Sequence, residues 1–155
     1  MGESLIGGLE LGAAYRITPE LTLFGNASWL DGQEETREGA GDPVVETVVS
    51  RLAPLMAQFG GSLQPQGSPW SFEARWLHAV AADRLSPRDI ADDSRIPPGG
   101  TPGYNVFDVT ARYRFSSDFE MTLAVENLAD EDYRIHGSGQ NQPGRNVVVS
   151  ARWSF

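Results

Sequence analysis

The sequence predicts an all-β fold: an antiparallel transmembrane β-barrel segment of about seven meandering strands belonging to a larger barrel. Three observations predict it. Stretches of about nine residues alternate apolar and polar side chains, and such a strand has one apolar and one wet face. At that length a tilted strand crosses a bilayer, which takes about 9–11 residues. The joints between these stretches are alternately tight and long.

The strands follow in chain order. Leu9–Ile17 sets Leu9, Leu11, Ala13, Tyr15 and Ile17 against Glu10, Gly12, Ala14 and Arg16. Leu21–Trp29 sets Leu21, Leu23, Ala27 and Trp29 against Thr22, Asn26 and Ser28. Leu55–Leu63 carries the weakest pattern, and its Gly60-Gly61 pair predicts a bend or bulge. Trp70–Val80 puts Trp70, Phe72, Ala74 and Trp76 opposite Ser71, Glu73 and Arg75. Phe107–Phe115 is the clearest, with Phe107, Val109, Ala111, Tyr113 and Phe115 opposite Asp108, Thr110, Arg112 and Arg114. Phe119–Leu128 opposes Phe119, Met121, Leu123 and Val125 to Glu120, Thr122, Ala124 and Glu126. Val147–Phe155 closes the chain, with Val147, Val149, Ala151, Trp153 and Phe155 on one side and Val148, Ser150, Arg152 and Ser154 on the other.

Thr18-Pro19-Glu20, Gln64–Pro69 and Ser116-Ser117-Asp118 are turn sequences. The joints Asp31–Arg51, Ala82–Gly103 and Ala129–Gly144 run to about 16–22 residues, well beyond a hairpin loop. Every long loop falls on one side and every tight turn on the other. That is the arrangement of outer-membrane barrels, with long loops outside and short turns in the periplasm. Aromatics near strand ends (Trp29, Trp70, Tyr113, Phe115, Trp153, Phe155) suit interfacial girdles.

Composition removes several classes. The 155 residues suffice for one domain. No apolar run approaches the roughly 20 residues of a membrane helix, a test that alternating strands evade. All twelve basic residues are arginine and the net charge is -9, which argues against nucleic acid, since phosphate binding needs concentrated positive charge. The absence of cysteine excludes thiolate metal sites, thiol nucleophiles and disulfides. No enzymatic motif stands out: there is no nucleophile elbow, no phosphate-cradling glycine loop and no histidine pair for zinc. Asp83, Asp89 and His78 are the residues that would have to converge at the barrel rim for hydrolytic chemistry. The rival fold is a soluble β-sandwich, which also alternates. The strand lengths, the one-sided loops and the apolar final strand favour the barrel.

Seven strands leave two open edges, and unpaired backbone groups in lipid cost several kcal/mol each. Single-chain bacterial barrels also have even strand numbers. The expectation is therefore a C-terminal third of a longer barrel, with Met1 an artificial start and no signal peptide in Met1–Ile6.

Sequence motifs point to a family. Glu126-Asn127-Leu128-Ala129-Asp130-Glu131-Asp132-Tyr133 leads out of the penultimate strand, and Gly139, Pro143, Gly144 and Arg145 open the last one. Ile96-Pro97-Pro98-Gly99-Gly100-Thr101-Pro102-Gly103-Tyr104 enters the strand before those two. Over Arg95–Phe155 the sequence resembles the C-terminal end of TonB-dependent outer-membrane receptors. The resemblance implies residues 1–155 of a C-terminal barrel segment, from a barrel of about 22 strands with a plugged lumen. It implies the bacterial outer membrane, and energy-coupled uptake of a scarce nutrient: an iron chelate (siderophore or haem) or cobalamin. Its implied partners are membrane lipid and lipopolysaccharide, an N-terminal plug, the TonB energy-coupling complex, the barrel-assembly machinery and a metal-chelate ligand. No enzyme activity, resident cofactor or nucleic-acid partner is implied. The terminal Trp153 and Phe155 become an assembly signal. The alternative is a passive porin-like or adhesive barrel without a plug.

Candidate site residues follow. His136, Tyr133 and Arg134 lie in an outer loop where they can meet a ligand, and imidazole can ligate haem iron. A lone histidine is more often a polar loop residue, since metal sites need several ligands. Asn127, Asp130 and Tyr133 also read as turn formers, with Arg145 a partner for Asp130 or Asp132. Arg75, Arg112, Arg114, Glu120, Glu126 and Arg152, with Glu10, Arg16, Glu73 and Asp108, occupy the wet face, where cross-strand ladders and plug contacts are expected. Two acidic groups, Asp89/Asp92/Asp93 and Glu34/Glu35/Glu38/Asp42, read as solvated loops facing divalent ions of the lipopolysaccharide. Their spacing lacks the twelve-residue calcium loop, and no metal site is predicted.

Overall fold

The computed structural model describes residues 3–37, 39 and 41–155; Met1 and Glu38 lie outside them. The described residues form eight strands and one short helix. The strands are β1 (Ser4–Arg16), β2 (Leu21–Thr36), β3 (Val45–Val48), β4 (Met56–Leu63), β5 (Trp70–Ala79), β6 (Tyr104–Arg114), β7 (Phe119–Glu126) and β8 (Asn146–Trp153), and the helix is α1 (Pro87–Ala91). A single antiparallel meander, β1-β2-β4-β5-β6-β7-β8, carries the fold, with β3 paired to β2 off that path.

The seven expected strands are therefore present, with one addition. β2 runs past Trp29 to Thr36, and β3 pairs with its Gln33–Thr36 end, so the first long loop begins as a projecting hairpin. That extension, Leu-Asp-Gly-Gln-Glu-Glu-Thr over residues 30–36, carries no apolar stripe. The bend or bulge expected at Gly60-Gly61 does not form. β4 pairs without interruption to Leu21–Ser28 of β2 and to Phe72–Ala79 of β5. A Cβ at Gly60 would collide with the Phe24 ring and lie 2.7 Å from the Ala74 carbonyl oxygen. The glycine is there for a close approach, as glycines in strand interiors often are.

The register keeps the two faces apart. Trp70, Phe72, Ala74 and Trp76 of β5 stand opposite Tyr113, Ala111, Val109 and Phe107 of β6, and these apolar positions continue through Met121, Leu123, Ala151 and Val149. Among the described residues no second sheet covers this face. Leu5, Tyr15 and Trp153 are 79%, 73% and 71% exposed, and Phe59, Phe107 and Leu123 are exposed too. A continuous apolar wall of this extent is stable against lipid rather than water, which removes the sandwich. At the turn end, rings run Phe72–Trp70–Tyr113–Phe115–Phe119–Trp153 with successive centroids 5.8, 4.7, 4.5, 5.3 and 5.5 Å apart. A second row, Phe59–Trp76–Phe107, lies nearer the loops at 5.7 and 6.3 Å. On β5, Trp70 and Trp76 are about 20 Å apart along the strand, at a rise of roughly 3.3 Å per residue.

The tight turns repeat one device. Thr18 Oγ1 accepts from the Glu20 and Leu21 amides, and Ser116 Oγ accepts from those of Asp118 and Phe119. The long loops pack over the other end of the polar face. There Ala79, Tyr104 and Val106 form a small buried cluster, with Met56, Leu77 and Tyr133 against it.

Candidate functional site

The three long loops form one interlocked cap. Its centre is Asp89, only 2% exposed. Ser86 and Pro87 start α1, and a capping box ties the Ser86 side chain to the Asp89 amide and the Asp89 carboxylate to the Ser86 amide. The same carboxylate accepts from Ser50 Oγ at 2.7 Å and from the Arg51 amide at 3.0 Å, fastening the first loop to the second. Burial works to raise the Asp89 carboxyl, but the hydrogen bonds from Ser50, Ser86 and Arg51 outweigh it and hold the group below the usual carboxylate value. Asp92 accepts from Ser94 and bridges Arg95 (3.0 Å) and Arg51 (2.9 Å), and these bonds hold it low as well. Arg88 stands 3.9 Å from Glu34, a looser tie between the same loops.

The third loop closes onto this pair through His136. Its Nδ1 lies 2.9 Å from Thr101 Oγ1. A Cβ at Gly137 would touch the Arg51 side chain at 3.2 Å, and one at Gly139 would touch Arg95 at 3.3 Å, so both glycines let the backbone lie on arginine stems. Burial lowers the His136 pKa, partly opposed by the nearby Asp89 charge.

The motif residues of the third loop act as staples. Asn127, at φ +50° and 3% exposed, donates to the carbonyls of Glu131 and Pro143 and accepts from the Glu131 amide. Its own amide donates to Asp108, which ties the loop to β6. Asp130 accepts from the Arg145 amide at 2.7 Å, and the Arg145 guanidinium reaches the Leu128 carbonyl. Arg145 therefore meets Asp130 through its main chain, and no side-chain ion pair forms between them. Tyr133 packs on Tyr104 with centroids 4.6 Å apart, and burial, then the Asp108 and Glu126 carboxylates, raises its pKa. Arg134 donates to Asn141, which donates to Asp132.

Arg134 and His136 line one cavity with Arg51, Thr101 and Tyr104; its volume is about 50 Å³, room for water rather than a chelate. Tyr133 lies in the buried cluster beside it. The residues proposed for hydrolytic chemistry are not brought together, because Asp89 is held inside the cap while His78 bonds Asn105 beside Trp76 on the apolar face. Asp89 and Asp92 are likewise engaged by hydroxyl, amide and guanidinium donors. Among the described residues no three His, Asp or Glu side chains converge in a metal-holding group.

On the polar face, Arg75 realises part of the expected ladder: it reaches Glu73 at 3.6 Å and Asp108 at 3.4 Å. Glu126 accepts from Asn146. Arg112, Arg114, Glu120 and Arg152 share the same face and adjacent register positions without ion pairs within 4.0 Å among the described residues. Sequence reasoning missed the Asp89 keystone. The S-P-R-D run at Ser86–Asp89 was the available signal, since Ser followed three residues later by an acid marks a helix start.

Residues 2–128 match the family described as TonB dependent receptor-like, beta-barrel. The chain belongs to that family. The TonB-dependent receptor barrel also accounts for the apolar outer face, the one-sided loops and an outer-membrane location. Among solved structures the chain is similar to the copper transporter OprC, at 21% identity over 98% of this chain and 24% of that one, with a TM-score of 0.79. It is similar to the ferric-catecholate import receptor Fiu of E. coli K12 in its closed form, at 21% identity over 99% and 21% of the two chains and a TM-score of 0.71. It is also similar to the siderophore receptor PiuA of Acinetobacter baumannii, at 17% identity over 98% and 22% and a TM-score of 0.69. At these identities the likeness establishes the fold, and the chain spans about a quarter or less of each. No curated protein matches the sequence.

Proposed function

We propose that residues 1–155 are the C-terminal segment of the barrel of an energy-coupled receptor that imports a scarce, metal-bearing nutrient. The family match along residues 2–128 carries this reading. The open edges of β1 and β8 support it, since backbone groups facing lipid need partner strands. So does the cap, whose loops are held together over one end of the polar face. The substrate class is a metal chelate: a ferric siderophore, haem or cobalamin, with copper added by the likeness to a copper transporter.

In this reading the third loop, with Arg134 and His136 beside the small cavity and Tyr133 behind them, borders the ligand path. The inner-face charges Arg75, Arg112, Arg114, Glu120, Glu126 and Arg152 contact an N-terminal plug. Trp153 and Phe155 present aromatic rings to the assembly machinery at the turn end. The plug couples to TonB, and the loop acids face lipopolysaccharide.

The test is uptake by cells expressing the full-length protein, offered ferric siderophores, haem, cobalamin and copper in turn. One of them should accumulate, and a protonophore should reduce its uptake to background. Entry of unrelated small solutes that ignores the protonophore would establish a passive pore instead.

A further inference from the structure

The loop-side rim of the apolar wall carries a polar trio that neither the cap nor the inner face uses. His78 is the last outward-facing residue of β5 and Asn105 the first of β6, and the two stand opposite each other in register. Asn105 is exposed and His78 half-buried. Trp76 is the next outward residue of β5 toward the turn end. Its indole Nε1 donates to Asn105 Oδ1 at 3.0 Å, and His78 Nδ1 lies 3.0 Å from the same oxygen. The indole and imidazole centroids are 5.7 Å apart.

The indole fixes the hydrogen positions of its two neighbours. An indole nitrogen only donates, so the Asn105 atom facing it is the carbonyl oxygen and the amide cannot be turned over. His78 Nδ1 meets that same oxygen and must carry a proton. In the neutral ring this leaves Nε2 as an acceptor. Asn105 Nδ2 keeps two donors. Among the described residues the His78 and Asn105 side chains make no other hydrogen bond. Beside them Phe59, Trp76 and Phe107 form the loop-side aromatic row of the lipid-facing wall. Acyl chains offer Nε2 and Nδ2 nothing to bond, and unpaired polar groups against hydrocarbon are costly. A position just past an aromatic row, on the side of the long loops, is the level of outer-leaflet head groups.

We propose that His78 and Asn105, beside the Trp76 ring, clasp a sugar hydroxyl in the head group of an outer-leaflet glycolipid. A hydroxyl donates and accepts at once. Its O–H goes to His78 Nε2, and its oxygen takes an N–H from Asn105 Nδ2. A phosphodiester only accepts, and at Nε2 it would meet a lone pair. The clasp is continuous with the lipid-facing wall, so a lipid seated there lays its acyl chains along the aromatic row below. Trp76 is the positioning residue, since its N–H holds the Asn105 amide in the orientation that frees Nδ2. The inference rests on the outer-membrane location and is independent of the cargo.

The test uses the full-length protein, stripped of lipid in detergent. It is titrated with digalactosyl diacylglycerol and with phosphatidylcholine of the same acyl chains, and bound lipid is counted by native mass spectrometry. The wild type should bind the glycolipid saturably and in preference to phosphatidylcholine. His78→Phe, which keeps a ring, and Asn105→Leu should each weaken glycolipid binding roughly tenfold and leave phosphatidylcholine binding unchanged. His78→Gln retains a donor for Asn105 and an acceptor for the sugar, and should recover part of the loss. Trp76→Phe keeps the ring but lets the Asn105 amide turn over, and should give an intermediate loss. As a second readout on the unaltered protein, a glycolipid carrying a diazirine on its sugar should label the peptides that hold His78 and Asn105. Equal glycolipid affinity in wild type, His78→Phe and Asn105→Leu overturns the proposal, as does photolabel confined to other peptides. Equal binding of phosphatidylcholine overturns the sugar as the recognised group. Free galactose that binds as tightly as the glycolipid overturns a lipid as the occupant.

Discussion

Asp89→Ala should open the loop cap without unfolding the sheet. In the native cap the Asp89 carboxylate accepts from Ser50 Oγ, the Arg51 amide and the Ser86 amide at 2.7, 3.0 and 3.0 Å. Removing it leaves three donors in a site where Ser86 and Asp89 are 0% and 2% exposed. A buried donor left unpaired costs about 1–3 kcal/mol, and such terms do not add fully, so the loss for the cap is about 3–6 kcal/mol. Asp89→Asn keeps the shape and one acceptor oxygen but turns an amide donor toward the remaining donors. Its cost should be about half. The assay is amide hydrogen exchange of the intact receptor in detergent. At about 1.4 kcal/mol per factor of ten, the Arg51 and Ser86 amides should exchange at least roughly 100-fold faster in the alanine variant. Strand amides of β5 to β7 should not change. The pH dependence has a definite sign. The folded carboxyl lies below the ordinary aspartate value of 3.8, so its contribution is fully present above that value and disappears as pH falls through the folded one. Uniform acceleration across strands and loops, or none at Arg51, would refute the keystone role.

Three further outcomes follow from the same geometry. Gly60→Ala should destabilise the barrel by about 1–3 kcal/mol, because the new methyl meets the Phe24 ring and the Ala74 carbonyl. Phe24→Ala should restore part of that loss in heat-modifiability gels, whereas no rescue would place the strain elsewhere. Asn127→Ala loses three hydrogen bonds and puts a Cβ residue without a local bonding partner at φ +50°, for about 2–4 kcal/mol; Asn127→Gly keeps the backbone and should cost less, read as the temperature at which the loop becomes protease-sensitive. His136, with its pKa lowered, contributes fully above the ordinary imidazole value of 6.5 and loses that contribution as pH falls below it. Cap protection should therefore drop between neutral and mildly acidic pH, and His136→Ala should flatten that drop; if haem is the cargo and His136 its ligand, the same variant abolishes the Soret shift on titration.

What the sequence disclosed and what it hid divide along a physical line. In lipid, every strand must present an apolar row outward and satisfy its backbone through neighbours, so membrane-crossing strands announce themselves by alternation. Phe107–Phe115 and Phe119–Leu128 emerged as β6 and β7 within a few residues for that reason. The Leu30–Thr36 end of β2 is paired through its backbone to β1 and β3 and carries no apolar stripe, and β3 has only four residues, so neither left a periodic trace. The site divides in the same way. The inner-face arginines were legible because alternation assigns each a side. The cap was not, because it depends on contacts between residues 38 or 39 positions apart, Ser50 and Arg51 with Asp89. A cluster of loop acids reads identically whether it awaits a cation or is already engaged. Here Asp92 holds two arginines and Asp89 holds a hydroxyl and two amides, so the acids serve to order the loops. Under the proposed receptor function, a ligand's grip on this end of the barrel would depend on a keystone that it need never touch.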